Sequence, residues 1–261
     1  MRYESIVSDM AAWIENNKYH NLKIEEITEK SGFSRRHLQR FFKQKTALSI
    51  GTYSRLRRLS GAAIALRITG HPVKDIAQWF GFDSAASFIA AFRRNFNVTP
   101  VTFRKQDEWP FENMIPRYDY LARVAKLDCR LVRCCIEKPI MSSVNLNEIT
   151  QNILPGGIFS MLIKNVKYDE TFTTNSEVML SYSLCAQENQ QGDKLDWISI
   201  ALNENITNLS QIQSVIYAGL LPSLGITRLR APDVVKLKAN QAGEIIISEY
   251  RVPCLQHTTN L

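Results

Sequence analysis

The 261-residue sequence predicts two domains of different class. Residues 1–107 read as an all-α domain in which two helix-turn-helix units are joined by a long helix. Residues 128–261 read as an α+β domain with a mainly antiparallel sheet. Three observations predict this. Apolar residues recur at three- and four-residue spacing through the first half, the mark of buried helix faces. One pattern there occurs twice, about 50 residues apart, and two copies of one supersecondary unit explain it. Strand-like runs dominate the second half instead.

The elements follow in order. Tyr3, Ile6, Val7, Met10, Trp13 and Ile14 form one apolar stripe, the first helix. "LKIEEITEKSGFSRRHLQRFFKQK" gives a short helix, a Gly-containing turn and a second helix capped by Ser34. A longer helix is expected from about Ser49 to Thr69, ended by Gly70 and Pro72. "VKDIAQWFGFDSAASFIAAFRRNF" then repeats the earlier cadence. Ile27, Gly32, Phe33 and Ser34 match Ile76, Gly81, Phe82 and Asp83 at an offset of 49. One extra residue moves the offset to 50, so that Leu38, Phe42 and Lys43 match Phe88, Phe92 and Arg93. A last short helix starts with Thr99 as cap and Pro100 at its first position. Residues 108–127, with Pro110 and Pro116, read as a linker or docking segment. The runs "RLVRCCI", "IFSMLIKNV", "VMLSYSLCA", "WISIALN", "VVKLKA" and "EIIISEYRV" read as strands, interrupted by a helix from about Ser210 to Leu221.

Composition narrows the function. Residues 1–107 hold 18 Lys and Arg against 9 Asp and Glu, a net +9. Residues 108–261 hold 14 against 16, a net −2, which together give the chain its +7. A strongly basic half joined to a near-neutral one points to a polyanion-binding module with a second part of different purpose. No run of 18 apolar residues suggests a membrane span. The N-terminal stretch carries acids within its apolar pattern, unlike a cleavable signal, so a cytoplasmic, nucleoid-associated protein is expected. Cys129, Cys134, Cys135, Cys185 and Cys254 are odd in number and contain no C-x-x-C pair. They indicate neither a disulfide framework nor a zinc site.

Within "FSRRHLQRFFK", Leu38, Phe41 and Phe42 share a core-facing side, and Arg36, Gln39 and Arg40 share the other. Guanidinium and amide groups on one helix face suit guanine and adenine edges in the major groove. Arg36, Gln39 and Arg40 are therefore the candidate base contacts, with Arg35, Lys43 and Lys45 placed for phosphates. At the matching positions of the second unit stand Ala86, Ile89 and Ala90. Ser84 and Ser87 remain there as weak base contacts, and Arg93, Arg94, Arg104 and Lys105 as phosphate contacts. The first unit is thus expected to read bases and the second mainly to anchor. The other reading of the alanine face, packing against protein, stays open.

The stretches "IEEITEKSGFSRRHLQRFFKQKTALSIGTYSRLRR" and "PVKDIAQWFGFDSAASFIAAFRRNFNVTPVTFRK" resemble the DNA-binding domain of the AraC/XylS family of bacterial transcription regulators, and within it the MarA/SoxS/Rob subgroup. In that group the positions matching Arg36, Gln39 and Arg40 face the first major groove. The second helix there typically carries Gln and Arg where this chain has Ala85, Ala86 and Ala90. The resemblance implies double-stranded promoter DNA as partner, activation through RNA polymerase at stress, drug-tolerance or virulence-type promoters, and no cofactor. The linking helix, about 19 residues at 1.5 Å rise, spans roughly 28 Å. That is near the ~34 Å between successive major grooves on one DNA face, so a monomer can reach both.

An N-terminal DNA-binding domain is a Rob-like order, and the stretch from "WISIALN" to "VVKL" with "EIIISEYRVP" resembles the second unit of a GyrI-like effector domain. That implies a small amphipathic or cationic effector. Glu249 is the candidate carboxylate, with Trp197, Tyr182 and Tyr217 as pocket walls. Two other readings stay open, a protein-interaction module that masks the DNA-binding surface and, because some GyrI-like proteins are hydrolases, an enzyme. His20, His37, His71 and His257 all lie outside the central sheet runs, and no Ser-His-Asp grouping or metal-ligand spacing is present. No catalysis is expected.

Overall fold

The structure, a computed structural model, describes residues 2–20, 22–135, 158–163, 182–185 and 194–255. It divides into two compact units that interleave along the chain. The first comprises Met1–Gln106, Phe111–Val124 and Val215–Gly225, and the second Asp107–Pro110, Ala125–Ser214 and Ile226–Leu261.

The first unit is built on seven helices, α1 (Arg2–Asn16), α2 (Ile24–Ser31), α3 (Arg35–Thr46), α4 (Ile50–Ile68), α5 (Val73–Trp79), α6 (Ala85–Phe96) and α7 (Pro100–Lys105). The internal repeat has a backbone counterpart. Gly32 and Gly81 end α2 and the α5 turn with positive φ, 68° and 66°, a conformation that glycine adopts without steric cost. Ser34 caps α3 by accepting from His37 N, and Ser84 caps α6 by accepting from Ser87 N. The structural equivalent of Ser34 is therefore Ser84, not Asp83. The extra residue falls before the cap, and the 50-residue offset already holds from there. It continues through the left-handed ends Ala47 and Asn97 (φ 59° and 60°) and through Ser49 and Thr99, which cap α4 and α7.

Each unit of the repeat has its own apolar centre. Val7, Met10, Ala11, Ile14, Ile27, Leu38, Phe42, Ile50 and Tyr53 close the first. The second is aromatic. Phe92 meets Phe88, Phe96 and Phe103 at ring separations of 5.5, 4.4 and 5.4 Å, tilted or edge-on as ring quadrupoles favour. Helix α4 runs between both and is buried on nearly every side over Leu59–Leu66. That explains its run of small residues, Ser60, Gly61, Ala62 and Ala63.

Gly61 marks the closest approach. A Cβ there would lie 2.5 Å from Cε1 of Phe80, whose ring is fully buried. Gly→Ala inside a helix normally gains about 1 kcal/mol. Here Gly61→Ala is expected to lose about 1–3 kcal/mol by overpacking. Phe80→Leu in the same chain should recover part of it, a non-additivity that urea unfolding of the two single variants and the double variant measures.

Segment 111–124, expected as a linker or docking segment, lies within the first unit. It contains a 3₁₀ turn (Tyr118–Tyr120) and α8 (Leu121–Val124). A buried ion cluster fastens it. Glu15, 0% exposed, receives Nη2 of the equally buried Arg57 at 3.2 Å, while Nη1 of Arg57 binds the Ile115 carbonyl. Lys18 Nζ stands 3.5 Å from the Glu15 carboxylate, and Arg117 pairs with Asp119 at 2.6 Å. The Tyr53 hydroxyl accepts from Tyr118 N at 3.1 Å. Burial alone would raise the Glu15 pKa. Arg57, Lys18 and Arg117 outweigh it and hold the group at about 2, below its ordinary 4.5.

Residues 215–225 complete the first unit. They belong to a helical stretch running through Leu209–Val215, a π turn at Ile216–Leu220 and Leu221–Leu224. Ala218 O accepts from Arg117 N at 2.8 Å, and Gly219 faces Tyr120 and Val124 too closely for any Cβ to be added without a shift.

Among the described residues, the second unit carries an antiparallel sheet of eight strands, β1 (Trp109–Pro110), β2 (Asp128–Cys135), β3 (Ile158–Ile163), β4 (Tyr182–Cys185), β5 (Lys194–Asn205), β6 (Thr227–Arg228), β7 (Asp233–Ala239) and β8 (Ile245–Cys254). β8 is central, pairing with β5, β7 and β6. The sequence "IIISEYRV" alternates imperfectly for a physical reason. Glu249 pairs with Lys236 but Ile247 with Leu237, so Ser248 is an extra, bulged residue. Buried positions shift phase across it, from Ile245 and Ile247 to Tyr250 and Val252. The α+β class and mainly antiparallel pairing expected for this half are present.

Candidate nucleic-acid interface

On α3, Leu38 and Phe42 point into the core, and Arg36 and Arg40 are exposed with Gln39 half-buried between them. The i, i+3, i+4 spacing therefore yields one polar face, as the sequence suggests. The Arg40 guanidinium stacks 5.1 Å from the Phe41 ring centroid, which restrains a long side chain that otherwise loses much rotamer freedom on binding. Lys43 and Lys45 are exposed in the last turn. Arg35 is exposed too, in a 3.1 Å ion pair with Glu25 that a phosphate would have to outcompete.

On α6, Phe88 and Phe92 are buried, whereas Ala86, Ile89 and Ala90 are exposed. Ala86, Ile89, Ala90, Arg93 and Arg94 line one open depression. Ser84 and Ser87 are exposed but engaged with each other. Ser87 N donates to Ser84 Oγ at 3.1 Å, Ser84 N to Ser87 Oγ at 3.3 Å, and Ser87 Oγ to Ser84 O at 2.8 Å. This is a capping box, and it commits the Ser87 hydroxyl proton.

Arg104 is already engaged within the first unit. Its charge suggests a phosphate contact, but its Nε donates to Leu66 O at 3.1 Å and its Nη2 to His71 O at 2.6 Å. The guanidinium is half-buried at the C-terminal end of α4, where carbonyls lack helical partners and the helix dipole is negative. Lys105 is exposed beside it. Arg58 and Arg67 are braces of the same kind. Arg58 binds Gly81 O at 2.7 Å with its guanidinium over the Phe82 ring, and Arg67 binds Phe103 O at 2.9 Å. These residues hold the second helix-turn-helix unit onto α4. In the sequence they show only as positive charge, and the one available signal is that Arg58 and Arg67 lie on α4, a helix rich in small residues.

The candidate effector residues do not form one site within either unit. Trp197 is a core residue of the second unit, packed with Val234, its Nε1 donating to Cys134 O at 3.3 Å. Tyr217 is fully buried in the first unit, its ring 6.1 Å from that of Phe111. Tyr182 is a backbone position of β4 opposite Ile163, and its side chain lies outside the described residues, as does His257. Glu249 is bound at both oxygens by Arg251, at 2.9 and 3.0 Å, and also by Ser199 Oγ and by Lys236 at 3.3 Å. Burial pushes its pKa up, but Arg251, Ser199 and Lys236 bring it down to about 2. A cationic ligand would have to displace two resident cations. Among the described residues, no group of three or more His, Cys, Asp or Glu side chains is placed to hold a metal, and no helix is long and apolar enough to cross a membrane.

Comparison with known proteins places this architecture. The family described as a helix-turn-helix domain matches residues 27–106. The transcriptional regulator Rob of Salmonella typhimurium is 41% identical over 109 residues, which are 42% of this chain and 38% of Rob. The chain thus spans about two fifths of the length of that relative. The regulatory protein SoxS of Escherichia coli is 40% identical over 104 residues, 40% of this chain and 97% of SoxS. A transcriptional regulator of known structure from Chromobacterium violaceum is 30% identical, over 39% of this chain and 91% of its own, with a TM-score of 0.38. With SoxS matched along nearly its whole length, the chain belongs to the AraC/XylS family of helix-turn-helix transcription regulators, in its MarA/SoxS/Rob subgroup.

Proposed function

We propose that this chain binds duplex DNA sequence-specifically as a monomer, with α3 choosing bases through Arg36, Gln39 and Arg40. Helix α6 sits in the next major groove and mainly anchors. The observation that supports this is the unequal pair of faces on equivalent helices, polar on α3 and apolar on α6, held in the same register by Ser34 and Ser84. Arg35, Lys43, Lys45, Arg93, Arg94 and Lys105 are exposed cations suited to phosphates. The chain acts in the cytoplasm at the nucleoid, as an activator that contacts RNA polymerase, in keeping with its subgroup. For the second unit we retain a GyrI-like regulatory role, either binding a small effector or masking the DNA-binding surface. The committed ion pairs of Glu249 favour the second of these over a cation-binding carboxylate.

Six phosphate contacts predict that log K falls with log salt concentration with a slope of about −5. Titration of a duplex selected from a random pool, at several salt concentrations, measures it. Arg93→Ala with Arg94→Ala should reduce the slope by about 2 and weaken all sequences alike. A slope near zero would sink the proposal.

A further inference from the structure

An anchoring helix needs cations, but α6 also presents carbon. Ala86, Ile89 and Ala90 occupy the positions of Arg36, Gln39 and Arg40 at the offset of 50 that the equivalent caps fix. Ile89 is 39% exposed, one of the few large apolar side chains on the surface among the described residues. These three residues line the open depression together with Arg93 and Arg94. Ala86, Ile89 and Ala90 have no side-chain donor or acceptor to offer a base edge.

The major groove contains one apolar group, the C5-methyl of thymine. Against a G·C pair the same face would cover the guanine O6 and N7 and the cytosine amino group with carbon, taking their water and returning no hydrogen bond. Against thymine, methyl meets methyl. Small residues on either side of Ile89 allow the helix to approach closely enough for that contact. The occupant is specified by charge as well. The apolar centre is bordered by the exposed Arg93 and Arg94 in the last turn. A carbon strip beside cations fits a thymine-bearing groove between phosphate rails.

We propose that α6 selects its half-site by thymine methyl groups, with Ile89 as the central specificity residue and Ala86 and Ala90 flanking it. This rests on the reading that the first unit binds DNA through both helices. It adds a weak but definite preference to a helix that otherwise anchors. Burial of one methyl is worth about a fourfold change in affinity, so two give about fifteenfold.

The test uses duplexes selected from a random pool by the full-length chain, which are expected to contain two blocks about 10 bp apart. The block whose base preference Arg40→Ala abolishes belongs to α3. In the other block, replacing thymidine by deoxyuridine removes only the methyl. We expect that replacement to weaken binding about fourfold per methyl, and the same replacement in the α3 block to change it less. In Ile89→Ser the ratio between thymidine and deoxyuridine duplexes should fall towards one. Ile89 is exposed, and circular dichroism of this variant checks that the helix remains. Equal affinity for thymidine and deoxyuridine duplexes in the α6 block would overturn methyl reading while leaving base reading by α3 standing. If no block is selected, or if Arg40→Ala leaves the selected sequence unchanged, DNA reading by this unit fails, and the present inference with it.

Discussion

Replacing Glu15 by glutamine is expected to destabilise the first unit by about 3–5 kcal/mol, the usual cost of breaking a buried ion pair from one side. Glu15 and Arg57 are both 0% exposed, and Lys18 is 2% exposed. Removing the carboxylate charge takes from Arg57 and Lys18 the buried anion they share, while Asp119 stays paired with Arg117. The double variant Glu15→Leu with Arg57→Met should lose less than Glu15→Gln alone, because it removes one of those buried charges together with its partner. Chemical unfolding of the variants decides it, and an additive double variant would count against the cluster as described. The same cluster carries a pH signature. The folded pKa of Glu15, about 2, lies below its ordinary 4.5. Its contribution is therefore complete above about pH 4.5 and lost as pH falls towards 2. Glu15→Gln should lose that part of the acid dependence and keep the part due to Glu249, which has the same direction.

The largest functional loss is expected from Arg36→Ala combined with Arg40→Ala. Each bidentate base contact discriminates by ~1–3 kcal/mol, so the pair should cost on the order of 10²–10⁴ in affinity for a selected duplex. Binding to unselected DNA should fall far less, since phosphate contacts supply it. Both side chains are exposed, so the fold is not at risk. The comparison to make is a duplex scrambled in one block at a time. Scrambling the α3 block should cost at least tenfold more than scrambling the α6 block. Equal costs would show that the two helices read evenly, and the division of labour would be wrong.

Much of this was legible in the chain. The repeat, the linking helix and the six longer strands are local patterns of apolar spacing and capping, and local patterns are what a sequence displays. The match of Ser34 to Asp83 is one residue off because a single inserted residue is invisible in the sequence until the cap geometry shows that Ser84 does the capping. Strands β1 and β6, two residues each, are too short to carry a period. In the sequence Arg104 shows only as a charge, and only tertiary position reveals that it donates to the carbonyls of Leu66 and His71. Glu249 reads as a pocket carboxylate for a cationic effector, yet one of its cations comes from a neighbouring strand, Lys236 on β7, its direct cross-strand partner beside a bulge that the sequence does not announce. The polar face of α3 was readable because it depends on one helix alone.

The segment Val215–Gly225 has a consequence for synthesis. A ribosome makes α1 to α7 first, but the piece that receives Arg117 N and covers Tyr120 and Val124 arrives only when residue 225 has been made. Until then Phe111 waits for Tyr217 while the whole of segment 126–214 is being added. The helix-turn-helix core can form early from local contacts, whereas closure of its unit is a late, long-range event. Translation thus separates two moments in the life of one folding unit, the formation of its helix-turn-helix cores and the closure of segment 111–124 by residues made about a hundred positions later.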